Sequence, residues 1–193
     1  DFDEILSGIL NKDPEGYLVF IGGENIMKYW IMSLRKRWSD KFPIINKRVI
    51  FTNRLSFDEF ISLCNCVDVL LDPIHFGGGN TFLESMLVGT PTITMPTTHL
   101  RGNITYAAYK QMNILNPPIV YNNKDYIDLA VRLANNKEEN AQLRDVSKRA
   151  AKDNLYENNN AIKEFEIFLE KAYFTNKSKV NFDESSIIKN EIT

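Results

Sequence analysis

An α/β fold built on a doubly wound parallel sheet is predicted by three features of this 193-residue sequence. Short unbroken apolar runs such as Tyr17-Leu18-Val19-Phe20-Ile21 have strand length and no alternation, which marks strands buried on both faces. Helical segments alternate with these runs, the order that flanks parallel strands with helices. Glycine clusters, Gly22-Gly23 and Gly77-Gly78-Gly79, follow two of the strands, at the carboxyl ends where such folds bind ligands.

Taken in order, Ile5, Leu6, Ile9 and Leu10 recur at helical spacing over Asp3 to Leu10, and the turn Asp13-Pro14-Glu15-Gly16 ends that helix. The strand Tyr17 to Ile21 leads to an amphipathic helix over Ile26 to Arg37. The pattern repeats with a strand Arg48 to Phe51, a helix Ser56 to Cys66, a strand Val69 to Leu71, the glycine turn, a helix Thr81 to Val88 and a strand Thr92 to Met95. A polar loop over Thr97 to Asn103, a helix Ile104 to Gln111, a short strand at Ile119-Val120, a helix Lys124 to Ala134 and a closing helix Ala161 to Ala172 complete the reading. Residues 1–174 are thus expected to form one domain, with 175–193 a polar, flexible or docking tail that has little to bury. A doubly wound unit ordinarily starts on a central strand, so a chain opening on a helix reads as part of something longer. Five segments should face one cleft: Gly22-Gly23, Thr52 to Leu55, Asp72 to Asn80, Thr97 to Asn103 and Tyr121 to Asn123.

Composition narrows the function. With 44% hydrophobic residues the chain can bury a core without disulfides. Lys+Arg number 23 against 25 Asp+Glu, so no positive excess exists to coat a nucleic-acid backbone. No apolar run approaches the roughly 20 residues of a membrane span, and no signal peptide opens the chain, which predicts a cytoplasmic protein. Cys64 and Cys66, two apart on a helix, do not share a face, and His75 and His99 lie too far from them for a structural metal cluster. No metal and no cofactor is therefore expected, unless a metal arrives with a ligand.

The stretch Asp72-Pro73-Ile74-His75-Phe76-Gly77-Gly78-Gly79-Asn80-Thr81-Phe82-Leu83-Glu84-Ser85 carries the chemistry. Three glycines at the mouth of a helix let backbone N–H groups approach an anion, and the helix dipole favours negative charge there. Asn80 or Thr81 would cap the helix, and either side chain can also donate to a phosphate oxygen. Thr81, Glu84, Ser85 and Val88 are expected on one face, with Phe82, Leu83, Met86 and Leu87 packing on the sheet. Glu84, one turn behind the phosphate site, is placed to accept hydrogen bonds from the vicinal hydroxyls of a ribose. The spacing fits neither a P-loop nor the dinucleotide G-x-G-x-x-G pattern. The bland alternatives are a simple turn for the glycines and a solvated surface position for Glu84.

The run 72–84, with Gly89-Thr90-Pro91-Thr92-Ile93-Thr94-Met95-Pro96 and Leu100-Arg101-Gly102-Asn103-Ile104-Thr105, strongly resembles the C-terminal half of bacterial SPINDLY-type proteins, relatives of O-GlcNAc transferase. The resemblance covers roughly Asp3 to Ala172. It implies a GT-B fold of two Rossmann-like domains, of which this chain would be the C-terminal, donor-binding one. It further implies that Gly77, Gly78, Gly79, Asn80 and Thr81 bind a diphosphate and that Glu84 holds the ribose. Base contacts fall on Thr52, Arg54, Leu55 and Phe60, with the Phe60 ring where the family stacks a side chain on uracil; a core position beside Phe57 is the other reading of Phe60.

Two departures stand out. A histidine that reaches the phosphates in O-GlcNAc transferase corresponds to Gly79, and a phosphate-binding lysine that follows the family's central strand would lie upstream of Asp1. His75, His99 and Arg101 are further candidates for sugar or phosphate contacts, although His75 reads equally as a loop hydrogen-bonder and Arg101 as a tie to a carboxylate. The implied activity is an inverting, metal-independent transfer from a nucleotide diphosphate sugar, UDP-GlcNAc or GDP-fucose, to a protein Ser or Thr hydroxyl. The partners would be the missing N-terminal domain, with or without helical repeats, and a protein acceptor. Other GT-B transferases or epimerases and a non-catalytic nucleotide-sugar sensor are the competing readings.

Overall fold

The structure, a computed structural model, describes residues 2–22 and 26–187. The chain divides into two compact units, one ending at Leu155 and one beginning at Tyr156. In the first, α1 (Phe2–Lys12), β1 (Leu18–Ile21), α2 (Ile26–Lys41), α3 (Pro43–Lys47), β2 (Val49–Thr52), α4 (Phe57–Cys66), β3 (Leu70–Leu71), α5 (Asn80–Ser85) and β4 (Thr92–Ile93) follow one another. A 3₁₀ turn (Leu100–Gly102), α6 (Ile104–Met112), α7 (Asn123–Asn135) and α8 (Lys137–Asn154) complete it.

The fold is α/β with short parallel strands. β1 pairs with β2 in the register Leu18↔Val49 to Ile21↔Thr52, and β3 with β4 in the register Leu70↔Thr92, Leu71↔Ile93. A parallel bridge, Thr94↔Ile119, adds a fifth extended segment beside β4. The expected single sheet is thus present as two parallel pairs, with no ladder between β1 and β3 among the described residues.

α1 spans both pairs. Ile5 and Ile9 belong to a cluster with Ile93, Val120, Tyr126, Ala130 and Leu133, whereas Leu6 and Leu10, one position on, belong to a cluster with Leu18, Trp38, Ile45 and Val49. The helix therefore presents a wide apolar stripe rather than a narrow seam. Its exit is fastened by Arg48, whose guanidinium donates to the carbonyls of Leu10, Asp13, Pro14 and Gly16. Gly22 is tight against β2, because a Cβ there would sit 2.1 Å from the Thr52 carbonyl oxygen.

Several elements depart from the expected pattern. α5 ends at Ser85 rather than Val88, and successive i→i−3 hydrogen bonds carry the chain through Leu87, Val88 and Gly89. Gly89 takes φ +72° with its α-carbon against the Arg144 carbonyl, a place where a Cβ would come within 2.1 Å of oxygen. The buried face of α5 is Phe82, Ser85 and Met86, while Leu83 and Leu87 are exposed, which corrects the apolar face expected for this helix. Spacing by three and four residues from Phe82 picks out Ser85 and Met86, and the early end of the helix leaves Leu87 outside it.

Two helices were not anticipated. α3 is a five-residue turn opened by Pro43, and α8 has a buried face of Asn140, Ser147 and Ala151, which carries no apolar period. Asn140 donates to the Leu133 and Asp68 carbonyls at 3.0 and 2.7 Å, and Arg144 donates to Thr90 Oγ1, the Val67 and Cys64 carbonyls and Asn140 Oδ1. Polar side chains thus hold α8 to the end of α4.

The second unit is dominated by α9 (Asn159–Ile187), which runs through the expected helix at 161–172 and past Phe174 without a break. Ile162, Phe165, Phe168, Tyr173 and Phe174 are exposed on it. Gly23 and the last six positions, 188–193, for which a cleft position and a tail were expected, lie outside the described residues.

Candidate functional site: the glycine loop after β3

The carboxyl ends of the strands gather the loops that the sequence singled out. The Gly22 N–H donates to the Thr52 carbonyl at 3.0 Å, joining the loops after β1 and β2, and the Gly77 N–H donates to the Arg101 carbonyl at 2.8 Å, joining those after β3 and β4. Asn122 caps α7 by accepting from the Asp125 N–H at 2.9 Å.

At the centre stands Asp72, 4% exposed, directly after β3. One carboxylate oxygen accepts the Gly78 N–H at 2.6 Å and the other accepts the Thr94 hydroxyl at 2.7 Å. Burial pushes its carboxyl above the ordinary range, and the Gly78 N–H and the Thr94 and Thr105 hydroxyls pull against that. Beneath it, the Tyr126 hydroxyl lies 2.8 Å from the Ile93 carbonyl and 3.1 Å from that of Asp72, bridging the ends of β3 and β4. Tyr109, buried against Phe82 with ring centroids 5.1 Å apart, accepts the Thr92 N–H at 3.0 Å.

The three glycines therefore have separate tasks. Gly77 and Gly78 spend their N–H groups on the protein itself, and a Cβ on Gly77 would press on the Asp72 carboxylate at 3.1 Å. Gly79 faces open space, with nothing within 4 Å of a Cβ built on it. Among the described residues, none accepts from the N–H groups of Gly79, Asn80 or Thr81, so these three are available to an anion at the start of α5. α5 has only six residues, so the local N–H groups and the exposed Asn80 and Thr81 side chains, rather than a long macrodipole, give the site its character.

The other expected residues divide into groups. Phe60 lines one cavity with Asp72, Gly78 and Thr81, and Glu84 stands half-buried on α5, close enough to raise the Cys64 thiol by its charge. His99 and Arg101 line a separate shallow depression of about 420 Å³ with Leu100 and Ile104. The Arg101 backbone ties the glycine loop while its side chain is exposed. His75 is exposed and lines neither depression, and the same holds for the exposed Arg54. Thr52 turns its hydroxyl to the Asn53 carbonyl at 2.9 Å, and Leu55 is half-buried. Sequence reasoning did not single out the Asp72–Thr94–Tyr126 lock; its signal is an acidic residue closing a buried strand just before a glycine run.

Cys64 is fully buried, and burial pushes its thiol up to about 11, against the pull of Arg144. Among the described residues, no three His, Cys, Asp or Glu side chains gather as a metal site, and no helix is long and apolar enough to cross a membrane.

Comparison with known proteins decides the family. The sequence profile of glycosyl transferase family 41 matches residues 31–165. The chain belongs to glycosyl transferase family 41. The matched span takes in Phe60, the glycine loop, Glu84 and the loop at 97–103. A Caenorhabditis elegans UDP-N-acetylglucosamine--peptide N-acetylglucosaminyltransferase is 28% identical over 143 residues, 70% of this chain and 11% of that protein. The K341M mutant of Thermobaculum terrenum O-GlcNAc transferase superposes with a TM-score of 0.70 at 20% identity, over 89% of this chain and 32% of that one. The family 41 chain described here therefore spans about a tenth of the length of the first protein and about a third of the second.

Proposed function

We propose that this family 41 chain is the donor-binding, C-terminal Rossmann-like domain of a GT-B glycosyltransferase that moves a sugar, with inversion, from UDP-GlcNAc to a protein Ser or Thr hydroxyl. The observation that carries the reading is the glycine loop. Asp72 fixes it from within, and the N–H groups of Gly79, Asn80 and Thr81 have no acceptor among the described residues. In glycosyl transfer the bond from the anomeric carbon to the diphosphate breaks, and negative charge grows on the leaving oxygen. Donors already fixed in place stabilise that charge without reorganising, the role a divalent cation plays elsewhere. Thr81 adds a hydroxyl to the same charge, Glu84 accepts from the ribose hydroxyls, and Phe60 offers a ring to the base. Residues that activate the acceptor hydroxyl would come from the N-terminal domain.

Isothermal titration with UDP, GDP, UDP-GlcNAc and GDP-fucose tests the reading. Saturable binding of UDP and its sugar, weakened about tenfold by Glu84→Ala through a lost charge-assisted contact, supports it. Preference for the guanine pair would move the donor to GDP-fucose. Failure of all four, both with this chain and with one extended at its N terminus, would remove the donor site.

A further inference from the structure

Positive charge is concentrated in one part of the chain. Residues 26–48, which hold α2 and α3, carry seven Lys and Arg against a single Asp. The rest of the sequence has 16 Lys and Arg against 24 Asp and Glu, so a near-neutral total hides a cationic helix pair on an acidic remainder. An asymmetry of this kind points to an anionic partner surface.

α2 packs inward through Leu34 and Trp38, one turn apart, and Trp38 is 1% exposed. Large apolar side chains also lie on its outer side. Tyr29, Trp30 and Met32 are 71%, 56% and 70% exposed, and the Tyr29 and Trp30 rings meet edge to face with centroids 6.2 Å apart. Helical spacing puts Tyr29 and Met32 on one face with Lys36, and Lys28 one turn from Met32. Two of the arginines are engaged within the protein, Arg37 with Asp3 at 2.6 Å and Arg35 over the Phe51 ring at 5.0 Å. Lys28 and Lys36 are exposed, with no anionic partner among the described residues.

We infer that the outer face of α2 docks on an anionic lipid surface, with Tyr29, Trp30 and Met32 at the headgroup level and Lys28 and Lys36 against the lipid's negative charge. Trp and Tyr favour that depth because a ring with a polar tip suits the boundary between hydrocarbon and water, and lysines are drawn to an anionic leaflet. Charge selects the occupant. A second copy of the chain would set one cationic face against another, which costs free energy. The acidic remainder is repelled by the same lipid, which leaves the α2 side as the one that approaches. Nucleic acid would engage the lysines but gives Met32 no apolar cover, as the acyl boundary does. The helix stays packed on the protein through Leu34 and Trp38, so it lies on the surface and does not span it. The proposal goes beyond the donor-site reading and does not depend on it.

Vesicle co-sedimentation and tryptophan fluorescence test it, since the chain has two tryptophans, one exposed and one buried. In about 0.1 M salt the chain should bind vesicles containing about one-third phosphatidylserine at least about tenfold more tightly than vesicles of phosphatidylcholine alone, and about 0.5 M salt should weaken that binding. Trp30 emission should shift to the blue on binding. Trp30→Phe should bind the same vesicles without a shift, because Trp38 is already buried. Lys28→Glu combined with Lys36→Glu should weaken binding at least about tenfold with an unchanged melting point. Unchanged Trp30 emission on the vesicles, equal binding to the two compositions, or undiminished binding by the lysine variant would overturn the proposal. So would binding of single-stranded RNA in place of the vesicles, or a dimer in which Trp30 is already blue-shifted without lipid.

Discussion

Replacing Asp72 with alanine is the most informative perturbation of the loop. The substitution removes the acceptor of the Gly78 N–H, held at 2.6 Å, and of the Thr94 hydroxyl, held at 2.7 Å on a fully buried side chain. Hydrogen bonds to a charged group are each worth about 1.5–3 kcal/mol, and relief of the buried carboxylate returns part of that, for a net loss of about 2–4 kcal/mol. In a domain of this size that lowers Tm by about 5–15 °C. Thermal unfolding followed by circular dichroism at pH 7 reads the shift, and UDP titration should show weaker binding as the loop loosens. A melting point within about 1 °C of the unmodified chain would refute the assignment of Asp72 as the lock.

Asp72→Asn separates charge from hydrogen bonding. The folded carboxyl is raised above its ordinary value of 3.8. The stability it contributes is therefore complete below that value and is lost as pH climbs through the raised one. Relative to Asp72→Asn, the unmodified chain should lose stability over that window and run parallel above it; urea unfolding between pH 3.5 and pH 7, roughly the carboxylate range, measures this.

Other expectations concern the surroundings of the loop. Gly89→Ala must hold φ near +72° and push a Cβ to 2.1 Å from the Arg144 oxygen, so it should cost more than about 2 kcal/mol by denaturant titration. Tyr126→Phe removes the hydroxyl that bridges β3 and β4 and should cost about 1–2 kcal/mol with no change in the denaturant slope. Iodoacetamide at neutral pH should modify the exposed Cys66 and spare Cys64, whose buried thiol is pushed up to about 11; mass spectrometry of the peptides that contain them distinguishes the two.

How far the sequence could be read depended on what each element buries. β1 and β2 announce themselves because Leu18 to Ile21 and Val49 to Phe51 are unbroken apolar runs, although Ile21 and Ile50 are exposed rather than covered on both faces as the sequence suggests. α8 stays silent because Asn140, Ser147 and Ala151 form its buried face, and polar or small side chains leave no period to detect. The same cause misassigned α5, where buried Ser85 takes a place that a hydropathy pattern gives to Leu83 or Leu87. At the site, the glycines and Glu84 were legible as residue types, yet the division of labour among Gly77, Gly78 and Gly79 was not. It depends on which N–H groups Asp72 and the Arg101 carbonyl consume, a long-range geometry that no local spacing encodes. The separation of the sheet into two pairs was equally beyond local pattern, since each strand reads the same whether its outer edge is filled or open.

The position of α1 has a temporal consequence. Its apolar stripe is covered by elements made much later, as the link from Lys12 to Asp128 across 116 residues shows. At about 5–20 residues per second, a ribosome takes about 6–23 s to supply that partner. During that interval Ile5 and Ile9 lack the cover of α7, and the nascent chain carries a sticky helix. Docking of α1 onto α7 therefore waits for a segment made seconds after α1 itself.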